Sequence, residues 1–365
     1  MKKRRRIVLV LFLLLLGGAL ALRPIRMRVV ACFRGESFYK TWPTGCWREQ
    51  ALEHDRLRKE RAANGRHFGG VILVDAGEFP PRAARWSDSI VSFFNRVFKP
   101  GKHDFRVFEG DPSAVAVLID LLADSNAGVQ TSAAEGLAKI GPPAAPAIPA
   151  LIELLLHDDP SPRGATQDAL GKIGAAAVAP LLDHLKSHED KADGVITTLW
   201  LIGPDAAPAI PTLIGRLKTK PSLVVARALS RIGARAVPPL LETVKDPNSE
   251  VRWHATGALA EIDGDRDLLV PHLIKLLKDE SGVVRQSAAA GLGRHGANYP
   301  VAVSALIEAL KDDEGYARRE AVDALYFIGP KARAAMPSLR QLLVEERDHY
   351  IRGCIQQALT RIGNE

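Results

Sequence analysis

The stretch "DHLKSHED" places His184 and His188 one helical turn apart, with Glu189 and Asp190 directly after them. Two imidazoles at that spacing can bind zinc on a helix, and adjacent carboxylates can complete the set. The order is not His-Glu-x-x-His, however, and Lys186 and Ser187 mark the helix as ending there, so a solvated helix end is expected. The chain holds ten histidines but no glycine-rich phosphate loop, no G-x-S-x-G elbow and no Cys/His pair in a supporting pattern. The three cysteines, Cys32, Cys46 and Cys354, are too few for a disulfide scaffold. Cys32 and Cys46 either pair outside the cytoplasm or stay as two thiols. The expectation is no catalytic residue, no metal and no cofactor, and a protein that is not an enzyme.

The elements that carry these residues repeat. Ile-Gly or a variant recurs at Ile140-Gly141, Ile173-Gly174, Ile202-Gly203, Ile232-Gly233, Ile262-Asp263, His295-Gly296, Ile328-Gly329 and Ile362-Gly363. The spacings are 33, 29, 30, 30, 33, 33 and 34 residues, a period that means stacked units. Each unit reads as two helices. The first opens at a proline (Pro112, Pro149, Pro180, Pro211, Pro238, Pro271 or Pro337), or at Ser304 in the odd copy. The second reads small-small-x-x-Leu-x-x-Ile-Gly, with Ala133, Ala165, Ala255, Ala288 and Ala321 allowing close approach, and a left-handed glycine is expected to end it. An acid also precedes a basic or amide residue by six positions: Asp124 and Gln130, Asp246 and Arg252, Asp279 and Arg285, Asp312 and Arg318, Glu346 and Arg352. The partner either bridges the turn or reaches the neighbouring unit, and such a ladder would fix stacking register.

The helix pair, the proline start, the acid-to-arginine offset and the "A-x-x-A-L-x-x-I-G-P" ending resemble HEAT repeats, most nearly the short bacterial type similar to phycobilisome-lyase HEAT-like repeats. The resemblance covers residues 112–363 in eight copies. It implies an all-α fold, an α-solenoid of about eight stacked helix pairs, and a scaffold or interaction module, with enzymes a minority. Some HEAT enzymes, similar to deoxyhypusine hydroxylase, hold iron through several His-Glu pairs; here only His188-Glu189 has that order. Three departures stand out: Asp263 replaces the capping glycine, His295 replaces an isoleucine, and the third and fourth copies lack the arginine. A histidine at 295 is expected to be hydrogen-bonded and partly buried.

The net charge of +7 is uneven. Residues 1–34 hold nine basic side chains and no acid, which leaves 40 basic against 42 acidic in the rest. A nearly neutral body argues against nucleic acid as a partner. "MKKRRR" followed by sixteen apolar residues, Ile7 to Leu22, reads instead as an export signal. The expected state is a transmembrane segment at residues 7–22 in a single-pass membrane protein, with the repeats outside the cytoplasm. The alternative is cleavage after Ala19-Leu20-Ala21, giving a secreted or periplasmic protein. The expected organisation is therefore residues 1–34 as the transmembrane or signal helix, 35–110 as a linker and small mixed capping segment, and 111–365 as the solenoid. Within 35–110, "GGVILVDAG" (69–77) reads as a short strand. "WSDSIVSFFNRVF" (86–98) reads as a helix whose apolar face covers the open end of the stack or lies on the membrane.

The residue before each terminal Ile forms a column in which Lys139, Lys172, Arg231, Arg294 and Arg361 are cationic and Phe327 is aromatic, with Trp200 and Trp253 nearby. These eight are the expected partner-binding residues, since cation-plus-aromatic stripes bind acidic or proline-rich segments. The competing reading is that cations near a helix C-terminus only serve its dipole. The expected function is a membrane-anchored scaffold that binds a protein or peptide through the inner solenoid surface. The alternative is an enzyme or enzyme accessory resembling lyase-type HEAT-repeat proteins, acting on a bound chromophore or peptide.

Overall fold

The computed structural model describes residues 110–155 and 160–363, together with 38–39, 42–43, 48, 51–52, 55–56 and 59. The membrane or signal segment expected at 7–22, Cys32 and Cys46, the strand expected at 69–77 and the helix expected at 86–98 lie outside the described residues. Among the described residues no helix is long and apolar enough to cross a membrane. The chain divides into two compact units, Met1–Ala177 and Val178–Glu365.

In the first unit a two-residue strand pair, β1 (Phe38–Tyr39) and β2 (Trp42–Pro43), precedes two helix pairs. These are α1 (Val115–Leu122) with α2 (Ala127–Ile140), and α3 (Ile148–Leu155) with α4 (Pro160–Ile173). The second unit holds six more pairs. They are α5 (Val178–Ser187) with α6 (Ala192–Ile202), α7 (Ile210–Thr219) with α8 (Leu223–Ile232), and α9 (Val237–Thr243) with α10 (Ser249–Glu261). Then follow α11 (Arg266–Leu276) with α12 (Gly282–His295), α13 (Pro300–Ala309) with α14 (Gly315–Ile328), and α15 (Met336–Glu345) with α16 (His349–Gly363). Within this unit each second helix packs on the second helix of the next pair, from α6 through α16, so the copies stack in sequence order.

The helices start where side chains can serve the unpaired N–H groups of a first turn. Asn126 accepts from Gly128 and Val129, and Ser222, Asn248 and Asp265 cap α8, α10 and α11 in the same way. Proline opens α7, α9, α13 and α15 at a position that needs no N–H. Two expected starts are corrected. Pro271 lies inside α11, because Asp265 caps a full turn earlier, and the odd copy starts at Pro300 instead of Ser304.

Packing follows the repeat phase. In the second unit Leu199, Leu229, Leu259, Leu292 and Leu325, each three residues before the terminal position, are all fully buried. The small residue four before that leucine sets how closely the helices approach. Ala255, Ala288 and Ala321 fill it in the second unit and Ala133 in the first, all buried. In α4 the buried residue is Thr166, not Ala165; its hydroxyl donates to the Pro162 carbonyl at 2.7 Å, which lets a polar side chain take the slot. Gly293 of α12 lies close against the backbone of α14, where an added Cβ would come within 2.8 Å of the Ala324 Cα.

The helix stops also differ from expectation. Gly141, Gly203, Gly233 and Gly329 have φ of 69° to 85° but ψ of −131° to −145°. That is the mirror image of extended backbone, not the left-handed helical well, and it is a region that essentially only glycine enters. Where Asp263 replaces the glycine, α10 ends instead on Ile262 in ordinary extended geometry, φ −71° and ψ 123°.

Candidate protein-binding face

The acid-to-arginine ladder is the most ordered polar feature of the second unit. Arg252 turns one edge of its guanidinium to its own turn, with Nη1 donating to the Asp246 and Pro247 carbonyls at 2.9 and 3.0 Å. Its other edge reaches the next copy, where Nε and Nη2 donate to the two carboxylate oxygens of Asp279, both at 2.9 Å. Arg285 repeats this, binding the Asp279 and Glu280 carbonyls behind and Asp312 ahead at 2.6 and 2.7 Å. Arg318 binds the Asp312 and Asp313 carbonyls and then Glu346 through one bond of 3.0 Å. Bridging the turn and reaching the neighbour are therefore both correct, because the guanidinium has two usable edges. Burial raises the Asp312 and Glu346 carboxyls, but the arginine and backbone N–H bonds outweigh it and hold both below their usual values. In the first unit the Gln130 amide bridges the turn to the Asp124 carbonyl at 2.8 Å. The carboxylate of Asp124 is taken by Arg48, from well outside the repeats. Ala51 is fully buried, and a side chain at Gly128 would have to displace the Asp55 carboxylate.

The expected column divides between the units. Lys139 and Lys172 are exposed ends of α2 and α4 in the first. In the second, several column cations turn back onto the preceding helix end. Arg361 Nε donates to the Tyr326 carbonyl at 3.0 Å, and its guanidinium lies 5.0 Å from the Tyr326 ring centre. Arg294 points to Asp263 at 3.9 Å, and the stem of Arg231 passes 3.8 Å from where a Gly203 side chain would begin. These cations thus serve helix ends of the previous copy as well as their own. The aromatics stay open: Trp200 is 40%, Trp253 37% and Phe327 68% exposed.

Trp200 is also one wall of a groove of about 350 Å³ on α6, α8 and α10, lined by Thr197, Trp200, Val224, Arg227 and Glu261. Ser230 donates to the Glu261 carboxylate at 3.0 Å across the same surface. Thr197, Val224 and Arg227 did not emerge from the sequence reading, whereas Glu261 stands in the column before the terminal Ile262. The available signal was helical spacing, since Thr197 and Arg227 stand one turn before Trp200 and Arg231.

The histidines do not converge. His184, in the last turn of α5, and His188, just beyond the end of that helix at Ser187, stack at 4.3 Å. Among the described residues no group of three His, Cys, Asp or Glu side chains is placed to hold a metal ion. His295 is buried, its Nε2–H donating to the Ala260 carbonyl at 3.0 Å, while Nδ1 finds no partner among the described residues. Burial pushes its pKa below the ordinary histidine value, and burial does the same to His254. Unfolding frees both to take protons near pH 6.5, so their contribution is complete above about 6.5 and is lost as pH falls below it. His295→Ile, which restores the residue of the other copies, is therefore expected to flatten the decline of the urea midpoint between about pH 7 and 5. An unchanged slope would assign that pH dependence elsewhere.

Comparison with known proteins agrees with this architecture. The family model for HEAT repeats matches residues 115–193 and 270–360. No curated protein matches the chain in sequence. Among solved structures, the karyopherin Kap121p, bound to the extreme C-terminus of the protein phosphatase Cdc14p, is 13% identical with a TM-score of 0.50, covering 77% of this chain and 38% of that one. The complex of CpcE and CpcF of phycocyanin lyase from Nostoc sp. PCC7120 is 26% identical over 41% of this chain and 98% of that one, with a TM-score of 0.38. A designed armadillo repeat protein in complex with the peptide (KR)4 is 20% identical, with 67% and 98% covered and a TM-score of 0.33. Residues 115–193 and 270–360 thus match HEAT repeats, within a series of helix pairs that stack in sequence order in the second unit.

Proposed function

We propose that this protein is a HEAT-repeat scaffold that binds another protein or peptide through its second helices, without catalysing a reaction. The observation that carries the reading is the groove on α6, α8 and α10, which a 40%-exposed tryptophan lines together with an arginine and a carboxylate. A large ring with charges of both signs beside it suits an extended segment, burying apolar area on Trp200 and orienting polar groups on Arg227 and Glu261. The repeats give this face rigidity, and affinity comes from many shallow contacts at fixed spacing. Residues 7–22 anchor the chain in a membrane with the repeats outside the cytoplasm, and the segment around Arg48 to Lys59 caps the first copy.

Proximity labelling from the full chain in its native cell, followed by titration of the recovered partners, tests the binding reading. Trp200→Ala, in an exposed position, is expected to weaken the cognate partner by about tenfold or more while leaving the urea midpoint within about 0.5 kcal/mol of the parent. Partners that bind the variant unchanged would remove the groove from the interface. A metal assay and an absorbance spectrum of the purified protein separate the scaffold from an enzyme or chromophore-handling accessory. Near-stoichiometric iron, zinc or pigment would favour the latter. Protease accessibility of the repeats in intact cells, with Ile7–Leu22 deleted as control, tests the topology.

A further inference from the structure

The packing of α12 on α10 differs from the other joints of the second unit at both helix ends. His295 closes α12 where the seven other copies place an isoleucine, and Asp263 follows α10 where they place a glycine. Gly296, after His295, has helical geometry, φ −83° and ψ −5°. Neither helix therefore ends on the positive-φ glycine that stops α6, α8 and α14. The two departures meet. His295 Nε2 lies 3.0 Å from the Ala260 carbonyl, which only accepts, so Nε2 carries the proton and the neutral ring keeps a bare Nδ1. That ring is 1% exposed, and its Nδ1 finds no partner among the described residues. Ala260 stands two residues before the terminal Ile262. Where α14 meets α16, the carbonyl in the same place, that of Tyr326, accepts from Arg361, a donor that does not titrate. At α10 the donor is one that does.

The other end of the joint is held by the ladder. Arg252, eight residues before Ala260 on α10 and about 12 Å from it along the axis, grips Asp279 through two bonds of 2.9 Å. We propose that the joint between α10 and α12 is an acid-released contact: a proton on His295 opens the helix ends around Ala260 and Gly296, while the Arg252–Asp279 clamp keeps the turn end closed. The second proton has to go to Nδ1, where it makes a buried cation whose N–H has no acceptor. Burial opposes that charge most, and Arg294 of the same helix and Arg266 of α11 add to the opposition. The Ala260 carbonyl of α10 and the Asp263 carboxylate of the connector favour the charge without outweighing them. From α13 and α14, Ala302 and Ile328 meet the adjacent Gly296 and bring no charge. Once open, the ring regains water and titrates near its ordinary value of about 6.5. The open form thus takes up the proton and gains population as pH falls below about 6.5, whereas above it both forms are neutral and the joint stays closed.

Hydrogen–deuterium exchange of the purified full chain at pH 7 and pH 5, expressed as protection relative to the intrinsic rate at each pH, tests this. The Ile262 and Gly296 amides close α10 and α12 on the Ala258 and Leu292 carbonyls. Their protection is expected to fall by at least about tenfold at the lower pH. The Arg252 and Arg285 amides at the turn end, and the Gly329 amide that closes α14, are expected to hold within about threefold. His295→Ile restores the residue of the other copies, and His295→Gln can still donate to Ala260 but takes no proton. Each is expected to abolish the response. His254, buried on the same α10 six residues before Ala260, remains in both variants. A response that survives both substitutions, a loss of protection equal at the turn end and at Gly329, or no response in the parent would overturn the proposal.

Discussion

Arg285→Ala is expected to lower the stability of the second unit by about 3 kcal/mol, read as a shift in the urea midpoint at constant slope. The substitution leaves the Asp312 side chain, 8% exposed, with its charge but without its bidentate partner. It also strips the Asp279 and Glu280 carbonyls of a donor. A buried carboxylate deprived of its counter-ion costs far more than an exposed pair gains, which is why the surface pair Lys245–Glu242 is expected to contribute little. The pH dependence carries the same sign. The Asp312 pKa is held below its ordinary value, so its contribution is complete above that value and is lost as the solution is acidified through the lowered one. In Arg285→Ala that acid-side loss is expected to shrink. The double variant Arg285→Met, Asp312→Leu separates the penalty of an orphaned charge from the worth of the pair, and recovery of most of the loss is expected. A parental midpoint for Arg285→Ala would mean that the ladder sets register without adding stability.

Gly203→Ala is the second large effect, expected at about 2 to 3 kcal/mol. Space is not the issue there. The nearest atoms to an added Cβ belong to Arg231, at 3.8 Å, an ordinary contact. The cost is conformational, because φ 71° with ψ −131° is a region that residues with a Cβ avoid. Asparagine, which tolerates the left-handed helical well, is expected to rescue nothing at this position. Gly363→Ala serves as the control. That glycine is not among those with positive φ, and its added methyl would meet Met336 Cε at a normal 3.5 Å. A change within about 0.5 kcal/mol is expected there. Equal losses at the two sites would show that helix propensity, not backbone region, governs these glycines.

The helix pairs and their phase were legible because a stacked unit must bury one leucine, one small residue and one terminal apolar residue per turn of the pattern. The ladder was legible as an offset of six, yet its full geometry was not. A one-dimensional spacing cannot show that one guanidinium serves two copies. The capping glycines looked left-handed because that is the commoner helix stop; only the ψ angles distinguish the two. Ala165 was misplaced by one residue because "ATQDALGKIG" offers two small residues side by side, and the hydroxyl of Thr166 is silenced by its own helix. The column cations were found, but what they touch was not, since contact with the previous copy's helix end leaves no trace in composition. Arg48 was invisible as a ladder member for a simpler reason. It stands 76 residues from Asp124, outside any period.

The ladder also acts as a ruler. Acid and arginine stay six residues apart, and arginine to the next acid spans 27 residues at Arg252 and Arg285. At Arg318 the span is 28, the acid is glutamate instead of aspartate, and the forked contact shrinks to a single bond. The surplus residue falls between Gly329 and Glu346, in the connector and first helix, never between acid and arginine. Drift in copy length is therefore tolerated on one side of the turn only, and a longer carboxylate side chain is the means by which a copy that has grown by one residue keeps its grip on its neighbour.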